Sequence, residues 1–147
     1  MPIVKIKNYR WIIVILLFLA TTINYVDRAV VTYSNAAKVE LLGVSEALIR
    51  EEGAVSEPVG LAMAIGVRES AGVEIGVGVT GIAGPGGGSD RKPVGTVVIA
   101  VAWPDGQRVR TLRLPGNREQ VRFQASQTAL DMVRRALMDL ESASSRS

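Results

Sequence analysis

A ten-residue glycine-rich stretch set between two β-branched runs constrains the fold of this chain more than any other feature. The stretch reads Thr80-Gly81-Ile82-Ala83-Gly84-Pro85-Gly86-Gly87-Gly88-Ser89, followed by Asp90-Arg91-Lys92-Pro93-Val94-Gly95. Residues 73–80 before it (VEIGVGVT) and 96–102 after it (TVVIAVA) have strand composition. A strand, a glycine loop and a second strand are therefore predicted in succession. Glycines let backbone N–H groups approach a ligand closely and point the same way, which suits a phosphate or a developing oxyanion. The plainer reading is a flexible hairpin connection, and composition leaves both open. The stretch is neither a P-loop nor a dinucleotide-binding fingerprint. It lacks Gly-Lys-Ser/Thr, and it leads into a strand instead of opening a helix.

Around that unit the pattern alternates between helix and strand. Val30-Val31-Thr32-Tyr33-Ser34 reads as a short strand. Asn35 suits the N-cap of a helix from Ala36 to Leu42 that stops at Gly43. Ser45 caps a second short helix through Arg50, and Ser56 a third, with Pro58 in its first turn, running to about Ser70. Val59, Met63 and Val67 recur every four residues and mark a buried face. Trp103-Pro104-Asp105-Gly106 reads as a turn, and Gln107 to Leu114 as the hairpin partner of the strand before it. Asn117 with Gln120 fits a capping box. Val121, Ala125, Ala129, Val133, Ala136, Leu137 and Leu140 then form a helical stripe. Residues 142–147 (SASSRS) read as a disordered tail.

Hydrophobic residues make up 48% of the chain and charged ones 21%, enough for a packed core. There is neither cysteine nor histidine. Disulfides, thiolate metal sites, a cysteine nucleophile, a Ser-His-Asp triad and a His-bearing zinc site are thereby excluded. Acid/base work falls to Lys, Tyr, Asp, Glu, Ser or Thr. The formal charge is +3, from 17 basic and 14 acidic side chains. Residues 1–30 hold Lys5, Lys7, Arg10 and Arg28 against Asp27, which leaves 13 of each sign in the rest. The basic balance belongs to the N-terminal stretch, which argues against a nucleic-acid-binding domain.

A boundary is predicted near residue 29. Before it stand a basic stretch, MPIVKIKNYR, and an apolar run of ten residues from Trp11 to Ala20. A membrane span needs roughly 20 mostly apolar residues, and continuation through Val26 makes a marginal one. A membrane helix over residues 11–28, a secretory signal-like segment and a buried core helix are the competing readings. RWIIVILLFLATTINYVDRA is similar to the opening of the first helix of major facilitator transporters, in about 20 residues only. That likeness carries no implication of transport.

Beyond the boundary the words are more specific. T-Y-S-N-x-x-K, L-G-V, GAVSE, V-T-G-I-A-G-P-G-G-G, K-P-V-G-T-V and a closing G-x-R-x-x-V-R occur in that order at natural spacing. Residues 30–141 thereby resemble the CinA C-terminal domain, the nicotinamide mononucleotide deamidase family. The resemblance implies an α/β fold: a three-layer α/β/α domain with a mixed sheet, incomplete at its N-terminus and preceded here by one hydrophobic helix. It implies hydrolysis of the carboxamide of nicotinamide mononucleotide to nicotinate mononucleotide and ammonia, in pyridine nucleotide salvage, with no metal or cofactor. It places Tyr33, Lys38 and Thr80 in the catalytic site, Lys38 as base or charge partner. Ser34, Asn35, Gly81, Gly84, Gly86, Gly87, Gly88 and Arg122 would bind the substrate, with Arg118 competing with Arg122 as the anion clamp. A small-molecule nucleotide is the expected partner, a homo-oligomer is compatible with the family, and the location implied is cytoplasmic, with inner-membrane association through residues 11–28 as the variant.

The chain departs from the family in one respect. The family's E-S-C-T-G-G word, whose serine is the expected nucleophile, has no match; Glu69-Ser70-Ala71-Gly72 is a helix end. Lys5, Lys7 and Arg10 would also keep the N-terminus cytoplasmic and put a domain beyond a membrane span on the wrong side for a cytosolic nucleotide. A fused or truncated reading frame accounts for this better than an anchored enzyme. The expectation is a site that keeps its cradle, lacks the attacking hydroxyl, and is inactive or severely impaired. A serine or threonine within bonding reach of the Lys38 amine at the mouth of the glycine turn would overturn that premise. The alternatives are a non-catalytic nucleotide- or partner-binding module and a membrane-anchored fragment of transporter descent. Loss of core elements predicts an exposed apolar face and a tendency to aggregate; a sharp, cooperative thermal melt of a soluble monomer would contradict it.

Overall fold

A computed structural model describes residues 34–144. Four helices and three strands follow one another in that span: α1 (Ser34–Leu42), α2 (Glu46–Glu52), α3 (Glu57–Ala71), β1 (Gly76–Gly81), β2 (Thr96–Trp103), β3 (Gly106–Arg113) and α4 (Arg118–Ser144). The strand expected over Val30 to Ser34 lies outside the described residues except for Ser34, which opens α1. The hydrophobic helix over residues 11–28 lies outside them entirely. Among the described residues no helix is long and apolar enough to cross a membrane.

The strands form one sheet in the order β1-β2-β3. Both pairings among the described strands are antiparallel. The Pro104-Asp105 turn is too short for anything but an antiparallel pair, and the glycine loop folds β2 back on β1 as a long hairpin whose ladder Ile82 and Gly95 extend. β2 is central, and Val97 to Ala102 are all at most 3% exposed. Its alternate residues must therefore be covered from both sides. Ala100 and Ala102 pack with Ala64 of α3. Val97, Ile99 and Val101 point the other way, where α4 lies against β2. Arg108, paired with Val101 on that same face, meets Asp139 of α4 at 3.1 Å. The described residues thus stack as helix, sheet and helix.

Glycine decides how close α3 comes to the sheet. Gly76, Gly78 and Thr80 of β1 share the face that α3 covers, as their partners Ala102, Ala100 and Val98 do. A β-carbon on Gly78 would fall on the Gly60 carbonyl oxygen and lie 2.9 Å from the Ala64 nitrogen. One on Gly76 would fall on the Ala64 carbonyl. Backbone meets backbone here with no side chain between. Gly66, on the opposite side of α3, does the same for the Leu42 carbonyl at the end of α1.

The helix ends follow local chemistry. Gly43, at φ 64°, stops α1, and Val44 beyond it is buried with Val59 and Met63. Ser45 accepts from the Leu48 N–H at the start of α2. Ser56 stands at the N-cap of α3, but its hydroxyl turns back to donate to the Gly53 carbonyl at 2.9 Å. Asn117 and Gln120 make both halves of a capping box, at 3.0 and 2.9 Å. The stripe of α4 is buried at Val121, Ala125, Val133 and Ala136, joined by Met132. α4 continues through Ser144, so residues 142–144, expected in a disordered tail, are helical. A helix end with polar side chains and no stop residue gives no sequence signal of its length.

Two measurements check this packing. Gly78→Ala should lower stability in urea by about 3 kcal/mol, because α3 must lift off β1. Gly86→Ala, where nothing lies within 4 Å, should stay within about 0.5 kcal/mol of the parent. The Asp131 carboxyl is held below its ordinary 3.8 by hydrogen bonds from Arg134 and then Arg135. A depressed carboxylate contributes stability above its unfolded pKa and loses it as pH falls through the folded value. Asp131→Asn should therefore melt below the parent at pH 7, with the gap closing below about pH 4.

Candidate functional site

The described site gathers on the carbonyl of Ala54, in the turn between α2 and α3. The Thr80 hydroxyl donates to that oxygen at 2.8 Å. The Lys38 ammonium lies 3.4 Å from the same carbonyl and 3.4 Å from the Thr80 Oγ1. Thr80 is 6% exposed, and Lys38 is half-buried on α1. β1 runs along α3 toward its N-terminus, meeting it first at Gly76 and then at Gly78. The next residue on that face, Thr80, passes the start of the helix and presents its hydroxyl to the preceding turn. Lys38 reaches the same point because Gly66 lets α1 sit close to α3.

This geometry corrects one expectation. A threonine hydroxyl does lie within reach of the Lys38 amine at the mouth of the glycine turn. The premise that no hydroxyl accompanies Lys38 is overturned, although the hydroxyl found is buried and already donates its proton to a carbonyl.

The glycine loop leaves β1 beside this pair. Gly81 ends the strand and is exposed. Ile82 and Gly95 extend the ladder, Ile82 N donating to the Thr96 carbonyl at 2.8 Å and Gly95 N to the Ile82 carbonyl at 2.7 Å. Gly84 is buried at φ 83°, and its peptide bond to Pro85 is cis. Gly86, Gly87 and Gly88 are exposed, with Gly87 at φ 84°. Their amides therefore remain open to solvent or to a ligand. Ser89 and Lys92 close a tight turn, through Ser89 N to the Lys92 carbonyl at 2.9 Å and Lys92 N to the Ser89 hydroxyl at 3.1 Å.

Of the two arginines weighed for an anion clamp, Arg118 meets the loop: its Nη1 donates to the Gly84 carbonyl at 3.3 Å. Arg122 follows one turn later on α4 and is half-buried. The two guanidinium groups thus rise from one face of the helix. Asn35 is exposed in the first turn of α1. Tyr33 and the side chain of Ser34 lie outside what the structure describes. A separate depression of about 620 Å³, lined by Pro115, Gly116, Glu119, Gln120, Phe123 and Gln124, shares no residue with the Lys38–Thr80 pair. No group of three or more Asp or Glu residues able to hold a metal ion occurs among the described residues. Two participants escaped the sequence reading. The Ala54 carbonyl is backbone and carries no residue signature. Lys92 stood inside the K-P-V-G-T-V word without an assigned role.

Comparison with known proteins places this arrangement. The model of the CinA C-terminal domain matches residues 15–137. A CinA-like protein of Mycobacterium marinum is 55% identical over 117 residues, which are 79% of this chain and 28% of that protein. One from Syntrophobacter fumaroxidans is 54% identical over 121 residues, 82% of this chain and 28% of that protein. The chain thus spans about 28% of the length of the curated relatives it matches. The competence/damage inducible protein CihA of Agrobacterium tumefaciens superposes with a TM-score of 0.67 at 40% identity, over 69% of this chain and 63% of that one. The competence damage-inducible protein A of Klebsiella pneumoniae gives 0.68 at 33% identity, over 73% and 66%. With the family model covering most of its length and the helix-sheet-helix arrangement shared with solved members, the chain belongs to the CinA C-terminal domain family.

Proposed function

We propose that this chain is a nicotinamide-nucleotide amidohydrolase of low turnover, binding nicotinamide mononucleotide and hydrolysing its carboxamide to nicotinate mononucleotide and ammonia. The observation that carries the reading is the Lys38–Thr80 pair, 3.4 Å apart at the root of the glycine loop. An amide needs an attacking hydroxyl or water, a group to move its proton, donors for the oxyanion and a hold on the nucleotide phosphate. Lys38 is the proton carrier or charge partner, Thr80 the neighbouring hydroxyl, and the amides of Gly86 to Gly88 the donors. Arg118 and Arg122 supply positive charge for the phosphate, the guanidinium fork suiting that group. Tyr33, Ser34 and Asn35 belong to the site by their place in the family's motif. Neither a metal nor a cofactor takes part in this scheme. A nucleotide substrate of this kind fits a cytoplasmic enzyme.

Turnover is expected to be low for a chemical reason. The Thr80 hydroxyl already donates to Ala54 at 2.8 Å, and its 6% exposure leaves little room for a substrate carbonyl to approach. The family's serine word has no match in these 147 residues. The same burial favours a second reading, a module that binds the nucleotide without cleaving it.

Ammonia release from nicotinamide mononucleotide, run beside a calorimetric titration, separates the two. The amidohydrolase reading expects slow release that falls roughly 100-fold in Lys38→Ala, the scale of a lost acid/base group. Thr80→Ser should keep turnover measurable, whereas the isosteric Thr80→Val should lose it while still binding nucleotide. Binding by the parent chain with no ammonia above background would favour the module. Neither binding nor release would sink both.

A further inference from the structure

Three consecutive carbonyls at the end of α2 each accept a hydrogen bond from a side chain. Glu52 O accepts from the Lys92 ammonium at 2.9 Å, Gly53 O from the Ser56 hydroxyl at 2.9 Å, and Ala54 O from the Thr80 hydroxyl at 2.8 Å. Lys38 adds its contact to the last. One turn therefore holds the catalytic pair by one carbonyl and the glycine loop by another.

We infer that Lys92 is a positioning residue, tethering the glycine loop to the α2 carboxyl end so that its exposed amides stay in register with the Lys38–Thr80 pair. Lys92 is suited to this by its surroundings. Its own backbone is locked to Ser89 in the tight turn, and Pro93 follows, so the ammonium carries the turn with it. Gly53, which forms the C-cap of α2 at φ 81°, leaves the approach clear, since a β-carbon there would lie 3.2 Å from the Lys92 Nζ. At the other end the loop is held by Arg118 on the Gly84 carbonyl. Between the two anchors lie Gly86, Gly87 and Gly88, all exposed; Gly88 lies against the backbone of Val94, which follows Lys92-Pro93, and Gly86 has nothing within 4 Å of where a β-carbon would sit. Glycine loses more conformational freedom on ordering than any other residue. A loop fixed before the ligand arrives spares that loss at binding, and tighter binding is the result.

The inference rests on the proposed nucleotide site for its consequence, but not for its structural content, so two readouts are needed. Lys92→Met keeps the aliphatic stem and removes the donor; Lys92→Arg restores a donor. Amide exchange of the full chain without ligand should speed up at least tenfold at residues 89 and 92, whose amides are hydrogen-bonded across the tight turn, in Lys92→Met, with α3 and β2 unchanged and the parent pattern restored in Lys92→Arg. Titration with nicotinamide mononucleotide should show about tenfold weaker binding in Lys92→Met, with KM raised by a similar factor and kcat within about threefold. Unchanged loop exchange in Lys92→Met overturns the inference. Faster exchange with unaltered nucleotide affinity also overturns it, by removing the consequence claimed. Absence of any nucleotide binding by the parent chain would instead sink the proposed function and leave the exchange result to decide the tether by itself.

Discussion

The bare-backbone contact between α3 and β1 fixes the distances on which everything else here depends. Gly76 and Gly78 present no side chain to the helix, and Gly60 and Ala64 return almost none. Close approach of this kind strengthens dispersion and tolerates no added methyl group. It also sets the reach of Thr80. With a larger residue at 78 the helix would stand farther from the sheet, and the hydroxyl two residues on would no longer meet the Ala54 carbonyl. The Lys38–Thr80 contact is thus a by-product of how tightly a helix lies on a strand.

The end of α2 is the second organising point. Its last carbonyls lack intrahelical donors, as at every helix terminus. Here the Glu52 carbonyl accepts from the distant Lys92, and the Gly53 and Ala54 carbonyls just beyond the helix accept from the nearby Ser56 and from the distant Thr80 and Lys38. Two of those side chains are lysines, and carbonyl oxygens at the negative end of a helix favour such cations. The end of α2 and the turn after it thus meet both Lys38 and, from the glycine loop, Lys92. Surface ion pairs have less to do with the architecture. Asp131 with Arg134 and Arg135, and Arg108 with Asp139, are all well exposed, and exposed pairs contribute little.

The family match begins at residue 15 and so takes in part of the apolar run that composition sets apart before residue 29. Composition has no means of placing such a run. Leucine, isoleucine and phenylalanine are equally at home in a bilayer and in a packed interior, and a run of ten is short for the first and ordinary for the second. The described strands are antiparallel neighbours, and the strand expected over residues 30–34 lies outside the described residues but for Ser34. The tight turn between β2 and β3 cannot join parallel neighbours.

By itself the sequence determined what is settled within a few residues. The Asn117–Gln120 capping box, the Pro104-Asp105 turn, the stop at Gly43 and the apolar run from Val97 to Ala102 in β2 were each legible, because the interacting groups lie within a turn of one another or share one strand. The glycine words also marked the loop and its neighbours as a candidate site. Tertiary structure alone decided which groups meet there. Lys38 and Thr80 are 42 residues apart, Thr80 and Ala54 26, Lys92 and Glu52 40, and Arg118 and Gly84 34. Hydrogen bonds form over about 3 Å, whereas sequence separation on this scale leaves the ends free to be anywhere in the unfolded chain. The packing distance of α3 on β1, set by atoms that glycine does not have, brings Thr80 to the Ala54 carbonyl, and the placing of α2 and α4 brings the loop contacts within reach.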